Sequence, residues 1–384
     1  MPNFRFDPTV LPSTARELRR EVREFLAQHR GRHPAERRAN SWVVFDAEFS
    51  RLLGHRGWIG MSWPKQYGGQ ERSAIERYVL LEELLAAGAP VGAHWVADRQ
   101  SGPTLLRFGS ETQKRRYLPG MARGEIFCCI GMSEPNAGSD LAAVRTRAEK
   151  LPDGRWRLNG QKIWTTFAQH AHLMIALVRT SPYDEKQKHA NLSQFLIELR
   201  SPGVRVRPIV DLAGSEHFNE VFFEDVILGP ECLIGVEGDG WRQASSELSL
   251  ERSGPERYLS SLALFLELVR LAQRTSSEML VQTIGQLTAQ FWTLRQMSLS
   301  IAGALASGAD PALEAAIVKD LGASLEQSLP TLAQAVLDEN VRLEDDSDLA
   351  RTLALLLQTA PSFSVRGGTR EILRSIVARG LELR

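Results

Sequence analysis

A polar loop that follows an apolar, β-prone run is the first stretch of this sequence that could bind a ligand. The run covers residues 127–132, and the loop, residues 133–140, reads Ser-Glu-Pro-Asn-Ala-Gly-Ser-Asp. Because glycine lets the main chain approach a ligand closely, such a loop can present backbone N–H groups and a hydroxyl to a phosphate. The same residue types also form ordinary turns, so the loop alone leaves both interpretations open.

A second stretch, residues 154–166, reads Gly-Arg-Trp-Arg-Leu-Asn-Gly-Gln-Lys-Ile-Trp-Thr-Thr. Asn-Gly is typical of a two-residue hairpin turn, so we expect a hairpin with its turn at Asn159 and Gly160. The hairpin would deliver Trp164 and the two threonines after it close to the first loop. An indole that packs on a flat heterocycle, with hydroxyls for the ring edge, is what a flavin site requires. The alternative is a strand with one core tryptophan and two surface threonines.

The two stretches together resemble the acyl-CoA dehydrogenase family, and the resemblance covers nearly the whole chain. In that family a Thr/Ser-Glu-Pro-x-x-Gly-Ser-Asp loop and a Trp-x-Thr strand hold FAD, so the resemblance implies FAD as the cofactor. The residues that it implies for cofactor binding are Gly131, Met132, Ser133, Gly138, Ser139, Trp164, Thr165 and Thr166. Since a fold does not determine a function, the activity has to be inferred from the catalytic residues.

Dehydrogenation of an acyl thioester needs a carboxylate that removes the α proton, a flavin that accepts the β hydride and hydrogen bonds to the carbonyl. In most of the family the carboxylate belongs to a Glu immediately before the Gly-Thr of the C-terminal signature. Here that position is Gly367, so the usual base is absent.

A minority of the family carries its base on the first long helix of the C-terminal bundle. The resemblance places Glu251 at that position, and Glu251 is our predicted catalytic base; Glu247 lies one helical turn earlier on the same face. The alternative for Glu251 is a surface carboxylate paired with an arginine. The resemblance also implies substrate contacts by Ser139, Ser249 and Arg252, of which Arg252 would contact the pantetheine or hold the helix.

Two stretches that reach the neighbour's FAD in homo-oligomeric members are altered in this chain. The Arg-x-x-Phe-Gly stretch reads Arg274-Thr275-Ser276-Ser277-Glu278-Met279, and the later region, around Asp338 to Gln358, has no Gly-Gly. This asymmetry predicts a heteromeric α2β2 complex with a sister acyl-CoA dehydrogenase subunit, similar to members that act on steroid side-chain thioesters. A homo-oligomer with looser FAD binding is the alternative. The resemblance also implies an acyl-CoA substrate and an electron-transfer flavoprotein as electron acceptor.

Two other functions compete with a dehydrogenase subunit. A non-catalytic companion of a sister enzyme would not need the flavin motifs, which argue against it. A flavin monooxygenase on the same fold would lack the C-terminal Glu, as this chain does, but Glu251 argues against it. A steroid or branched acyl group is an analogy from the subunit type.

The elements that must position these residues fall into three blocks of an α+β chain. The first block, residues 1–124, has helical spacing from Pro12 to about Leu53 and again from Ala74 to Leu85, and predicts an N-terminal helical domain. Residues 125–232 contain short strand patterns separated by turn residues and predict, with the resemblance, a middle β-barrel domain. Residues 233–384 are Leu/Ala-rich and predict a C-terminal four-helix bundle.

Composition excludes several classes of protein. The 384 residues are 43% hydrophobic, and Lys plus Arg equals Asp plus Glu at 46 each, so no basic surplus predicts nucleic acid or an anionic membrane. Cys128, Cys129 and Cys232 show no Cys-x-x-Cys spacing, so neither a metal site nor a disulfide is predicted. We find no signal peptide and no run long enough to span a bilayer, and therefore expect a cytoplasmic protein.

Overall fold

The computed structural model describes residues 4–29, 33–183, 185–251, 254–337 and 346–383, with the backbone alone for residues 247–251. The described part contains thirteen α-helices, followed in chain order as α1 Ser13–Gln28, α2 Ala35–Arg38, α3 Ala47–His55, α4 Ala74–Ala86, α5 Gly92–Val96, α6 Gly102–Phe108, α7 Glu111–Ala122, α8 Gly240–Glu251, α9 Leu262–Ala272, α10 Glu278–Ala306, α11 Ala312–Val336, α12 Asp348–Thr359 and α13 Arg370–Gly380. A single π-helical turn, Ala97–Ser101, joins α5 to α6.

Eight strands form one sheet: β1 Cys128–Gly131, β2 Arg147–Lys150, β3 Trp156–Lys162, β4 Leu173–Arg179, β5 Leu192–Glu198, β6 Val204–Ile209, β7 Phe218–Leu228 and β8 Leu233–Ile234. The strand order is β6-β7-β3-β2-β4-β5-β8, and β1 pairs in parallel with β4. The chain divides into two compact units. The helical unit comprises Met1–Val44, Arg72–Val91 and Glu251–Arg384, and the sheet unit comprises Phe45–Glu71 and Gly92–Leu250.

Strand β4 lies at the centre of the sheet unit, and all seven of its residues are buried. Met174 and Val178 pack on one face with Trp156, while Ile175 packs on the opposite face with Leu118 of helix α7. Side chains of a strand alternate between faces, so a strand covered on both faces has a continuous apolar sequence. This explains the continuous apolar run from Leu173 to Val178 in the sequence.

The predicted hairpin turn at Asn159 and Gly160 is wrong. Strand β3 runs through both residues, and the chain reverses earlier, where Leu151 N donates to Arg155 O at 2.7 Å. Gly160 instead lies at an irregularity in the pairing of β3 with β7, with a φ of 143°. A Cβ at Gly160 would lie 2.6 Å from the Thr146 hydroxyl oxygen, so close strand packing requires this glycine.

Helix α4 is the inner helix of the helical unit, where it packs against α1 and α10. A capping box of Ser73 and Glu76 fixes its start. The Glu82 carboxylate is nearly buried and accepts from Arg19 of α1 at 2.7 Å and from Arg295 of α10 at 2.6 Å. Two arginines therefore neutralise a carboxylate that would be costly to bury alone.

The fold class predicted from the sequence is confirmed: a helical N-terminal part precedes the sheet, and a helical region follows it. The predicted helical stretch from Pro12 to Leu53 is divided into α1, α2 and α3. The domain boundaries at residues 124 and 232 stay a prediction. Among the described residues, no helix is long and apolar enough to cross a membrane, and no cluster of side chains could hold a metal ion.

Candidate functional site

The loop after β1 folds into a tight turn that leaves its second half exposed. Glu134 N donates to Ala137 O at 2.9 Å, and Ala137 N donates to Glu134 O at 3.0 Å. Gly138 and Ser139 then follow on the surface, and a Cβ at Gly138 would meet nothing within 4 Å. The main chain at Gly138 is therefore open to a ligand.

A buried ion pair lies behind this loop. Lys162 is fully buried, and its Nζ donates to Glu134 Oε1 at 2.8 Å and to Met132 O at 3.1 Å. The Glu134 carboxylate also accepts from Arg145 N at 2.6 Å and from Thr146 N at 2.9 Å. One pair thus joins the loop, the end of β3 and the segment that leads into β2.

Burial and charge act against each other in this pair. Burial lowers the pKa of Lys162 to about 8, although the neighbouring Glu134 carboxylate favours its charged form. Burial also disfavours the charged form of Glu134, but the Lys162 charge and the hydrogen bonds outweigh it, and the pKa of Glu134 is lowered. Neither residue was predicted from the sequence. Their only indication there is position: Glu134 directly follows Ser133, and Lys162 lies two residues before Trp164.

Trp164 lies directly beyond β3, in a bend rather than in the strand that the sequence predicted. Ile163 N donates to Ser133 O at 3.0 Å, which brings the bend against the loop. Trp164 has a φ of 59°, a conformation that costs a non-glycine residue about 1–2 kcal/mol. Trp164 is 56% exposed. Among the ring contacts of the described residues, its indole makes an edge-to-face contact with Phe218 at a centroid distance of 5.8 Å. A strained, exposed indole is the kind of feature found at ligand sites.

The two threonines after Trp164 differ in exposure. Thr165 is fully buried, and Asn219 holds it on both sides: Thr165 N donates to Asn219 O at 3.0 Å, and Asn219 Nδ2 donates to Thr165 O at 3.1 Å. The Thr165 hydroxyl has no hydrogen-bond partner among the residues that the structure describes. Thr166 is partly exposed, so it is more accessible to a ligand than Thr165.

The predicted catalytic segment occupies the end of helix α8. Glu247, Ser249 and Glu251 belong to that helix, but their side chains lie outside the described residues, as does Arg252 entirely. Their predicted roles therefore stay predictions.

The usual base position, Gly367, adopts a left-handed conformation with a φ of 63°, and Gly368 follows with a φ of 101°. Lys319 Nζ donates to Gly368 O at 2.9 Å, and Arg366 pairs with the buried Glu326 at 3.0 Å. The C-terminal signature is thus a fixed turn of the helical unit, and glycine suits its backbone.

The altered stretches have ordinary local structure where they are described. Arg274 to Ser277 lies in the connection from α9 to α10, and Glu278 and Met279 begin α10. Ser277 caps this helix by accepting from Leu280 N at 3.3 Å. Of the region from Asp338 to Gln358, residues 338–345 lie outside the described part, and α12 begins at Asp348.

The loop and the bend fit a flavin by three separate observations. Trp164 offers an exposed aromatic face, Gly138 an open main chain, and Thr165 a buried hydroxyl that no described side chain uses. An aromatic surface, backbone donors and a few polar groups are what a flat, phosphorylated cofactor requires.

Comparison with known proteins gives matches along the chain. The N-terminal and middle domain models of acyl-CoA dehydrogenase match residues 12–125 and 129–226. Acyl-CoA dehydrogenase IpdE1 of Mycobacterium tuberculosis is 35% identical, with 86% of each chain covered. Two solved structures are 28% identical. The Tcur3481-Tcur3483 steroid ACAD has a TM-score of 0.86 over 97% of this chain and 98% of its own. The ChsE4-ChsE5 complex from M. tuberculosis has a TM-score of 0.85 over 98% and 99%.

Proposed function

The chain belongs to the acyl-CoA dehydrogenase family, and from this premise we propose that it is the FAD-binding, catalytic subunit of a heteromeric dehydrogenase. The observation that carries the proposal is the bend at Trp164, which is locked against the Ser133 loop and presents a strained, exposed indole. A non-catalytic companion would have no use for this arrangement.

The residues of the loop and bend would hold FAD in distinct ways. The Trp164 ring would pack against the flat ring system, and the hydroxyls of Ser133, Thr165 and Thr166 would bond to its polar edge. The open main chain from Gly138 to Ser139 would donate N–H groups to a phosphate. Bound FAD would supply the acceptor for the hydride that leaves the β carbon.

The proton chemistry is proposed to fall to Glu251 at the end of α8. Its carboxylate would act as the general base that removes the α proton. Ser139, Ser249 and Arg252 would bind the thioester chain. The glycine at position 367 supports this assignment, because it leaves the family's usual base position without a carboxylate.

Of the two similar solved structures, Tcur3481-Tcur3483 is a steroid ACAD, and the other is a complex of ChsE4 with ChsE5. Together with the altered stretches at Arg274 to Met279 and Asp338 to Gln358, they support a sister subunit and a steroid side-chain acyl-CoA as substrate. We further propose electron-transfer flavoprotein as the electron acceptor. The cytoplasm is the proposed compartment, supported by three free cysteines.

Substitution of Glu251→Gln tests the catalytic assignment. Glutamine keeps the shape of the side chain but cannot accept the proton, so anaerobic flavin reduction by an acyl-CoA should slow about 10²–10⁴-fold. Flavin content should stay unchanged. Glu247→Gln, one turn earlier on the same helix, is the matched control and should retain wild-type rates.

Two results would contradict the assignment. More than about a tenth of the wild-type rate in Glu251→Gln would mean that the base lies elsewhere. A protein that binds FAD but is never reduced by acyl thioesters, while oxygenating another substrate, would be a flavin monooxygenase.

A further inference from the structure

A buried segment follows the end of α8 at which we predict the catalytic base. Residues 254–261 are all buried, and Pro255–Arg257 form a short 3₁₀ helix within them. Gly254 comes three residues after Glu251, so the Cα atoms of the two residues lie at most about 11 Å apart. A displacement of residues 254–261, which we call the anchor, is therefore transmitted to the predicted base.

Helix α11 holds the anchor through one carboxylate. Glu326 is buried, and its Oε1 accepts from Ser260 N at 2.6 Å. The backbone oxygen of Glu326 accepts from the Ser261 hydroxyl at 3.1 Å. Its Oε2 accepts from Arg366 at 3.0 Å. One residue of α11 thus joins the anchor to the C-terminal signature.

Helix α4 holds the anchor through a pair of tyrosines. The hydroxyl oxygens of Tyr258 and Tyr78 lie 2.8 Å apart, and both side chains are buried. The Tyr78 hydroxyl donates to Glu82 at 3.2 Å, so the single proton of the Tyr258 hydroxyl is the one that bridges the pair. The anchor is thereby bonded to the carboxylate that joins α1, α4 and α10.

Gly322 of α11 packs directly against the backbone of the anchor. A Cβ at this position would lie 2.1 Å from the backbone oxygen of Arg257. A backbone oxygen cannot move aside as the end of a flexible side chain can, so only glycine allows this close approach. Glycine within a helix costs stability, and the packing against the anchor accounts for its presence here.

Hydrogen bonds hold the anchor where apolar packing alone could bury it. Replacing buried polar pairs by apolar residues is often neutral or stabilising, so stability does not require these bonds. A fully bonded buried network instead favours one arrangement of the backbone. Such precision matters for catalysis, because misplacing a reacting group by about 1 Å can cost about 100-fold in rate.

We propose that the anchor positions the carboxylate of Glu251, with Gly322, Glu326 and Tyr258 as positioning residues. The inference rests on the proposed function for the identity of the base. A role in stability alone requires no link between the anchor and the reaction. The proposal requires a link, and it requires that the link act through Glu251.

Gly322→Ala in the FAD-loaded protein tests the proposal. The limiting rate of anaerobic flavin reduction at saturating acyl-CoA should fall about 100-fold, while FAD content and acyl-CoA affinity stay as in wild type. Gly54→Ala is the matched control, because a Cβ at Gly54 of α3 would lie 2.2 Å from the backbone oxygen of Arg123, away from the anchor. It should lower the unfolding free energy to a similar extent and leave the rate unchanged.

The double variant Gly322→Ala/Glu251→Gln shows whether the effect acts through the base. It should be no slower than Glu251→Gln alone, because both changes remove the same proton transfer. Multiplied losses in the double variant, or equal rates in Gly322→Ala and Gly54→Ala, would overturn the proposal and leave the proposed function standing. A wild-type rate in Glu251→Gln would refute the proposed base, and the positioning of Glu251 with it.

Tyr258→Phe is a second variant that leaves the packing of α11 intact. It keeps the ring and removes the hydrogen bond to Tyr78, so reduction should slow about 5-fold, with the same lack of additivity toward Glu251→Gln. If Gly322→Ala does not fold, this variant decides the matter, and a wild-type rate in Tyr258→Phe would overturn the proposal.

Discussion

Two turns in the molecule have a similar construction and present different groups. At the first, a left-handed Trp164 stands beside the buried pair of Lys162 and Glu134. At the second, a left-handed Gly367 stands beside the nearly buried pair of Arg366 and Glu326. The first turn presents an exposed indole, and the second presents glycine where most of the family carries its base. The comparison teaches that a chain can keep the frame of a site and lose its chemistry.

The two carboxylates also respond to burial in opposite ways. Three donors, including Lys162, lower the pKa of Glu134 although burial acts to raise it. For Glu326, burial is the dominant cause and raises the pKa despite the charge of Arg366 and a hydrogen bond of 2.6 Å from Ser260 N. Two similar ion pairs therefore shift the pKa of their carboxylates in opposite directions.

The largest expected effect comes from breaking the pair at the first turn. Lys162→Met leaves the Glu134 carboxylate buried without its cation, which should lower the free energy of unfolding by about 3–5 kcal/mol. Chemical denaturation measures this loss. The double variant Lys162→Met/Glu134→Gln removes the unpaired charge and should regain part of the stability; a double variant as unstable as the sum of the single ones would show that the pair does not act as a unit.

A smaller effect is expected at the second turn. Gly367→Glu places a side chain on left-handed backbone and should cost about 1–2 kcal/mol in thermal or chemical unfolding. It should not restore flavin reduction when combined with Glu251→Gln, because the left-handed backbone at position 367 disfavours any residue other than glycine. Recovery of activity in that double variant would mean that the C-terminal signature can hold the catalytic base.

The smallest expected effect is a difference in pH dependence. The folded pKa of Glu134 is below its ordinary value of 4.5, so its contribution to stability is present above 4.5 and is lost as the pH falls further. The folded pKa of Glu326 is above 4.5, so its contribution is fully present below 4.5 and is lost as the pH rises. Unfolding free energies of Glu134→Gln and Glu326→Gln, each compared with wild type from about pH 3 to about pH 7, should diverge in opposite directions. Parallel curves would contradict the comparison.

Local patterns in the sequence were sufficient for most of the fold. The helical spacing from Ala74 to Leu85 predicted α4, because burial of one face of a helix leaves a periodic pattern in the sequence. The turn at Asn159 and Gly160 could not, because the need for glycine came from Thr146, thirteen residues before Asn159 and on the facing part of the sheet. The Asn-Gly dipeptide alone does not show whether its glycine is required for a turn or for close packing between strands.

The candidate site was predictable only where the family motifs are intact. The exposed indole followed from the Trp-x-Thr motif, whereas the pair of Lys162 and Glu134 forms between residues 28 positions apart and shows no periodicity. The different exposures of Thr165 and Thr166 could not be predicted either, because the backbone of Thr165 is held by Asn219 on β7, 54 residues later in the chain. Tertiary contacts decide such details.

We propose that this chain holds the flavin part of a dehydrogenase site and needs a sister subunit to complete it. The most direct measurement is the FAD content per chain, with analytical ultracentrifugation, of the chain expressed alone and with the sister subunit. Alone it should be flavin-poor; co-expressed, it should form a yellow complex that acyl-CoA reduces, and Trp164→Ala should bind FAD more weakly by about 1–3 kcal/mol. A stable homo-oligomer with one FAD per chain and full activity would contradict the claim.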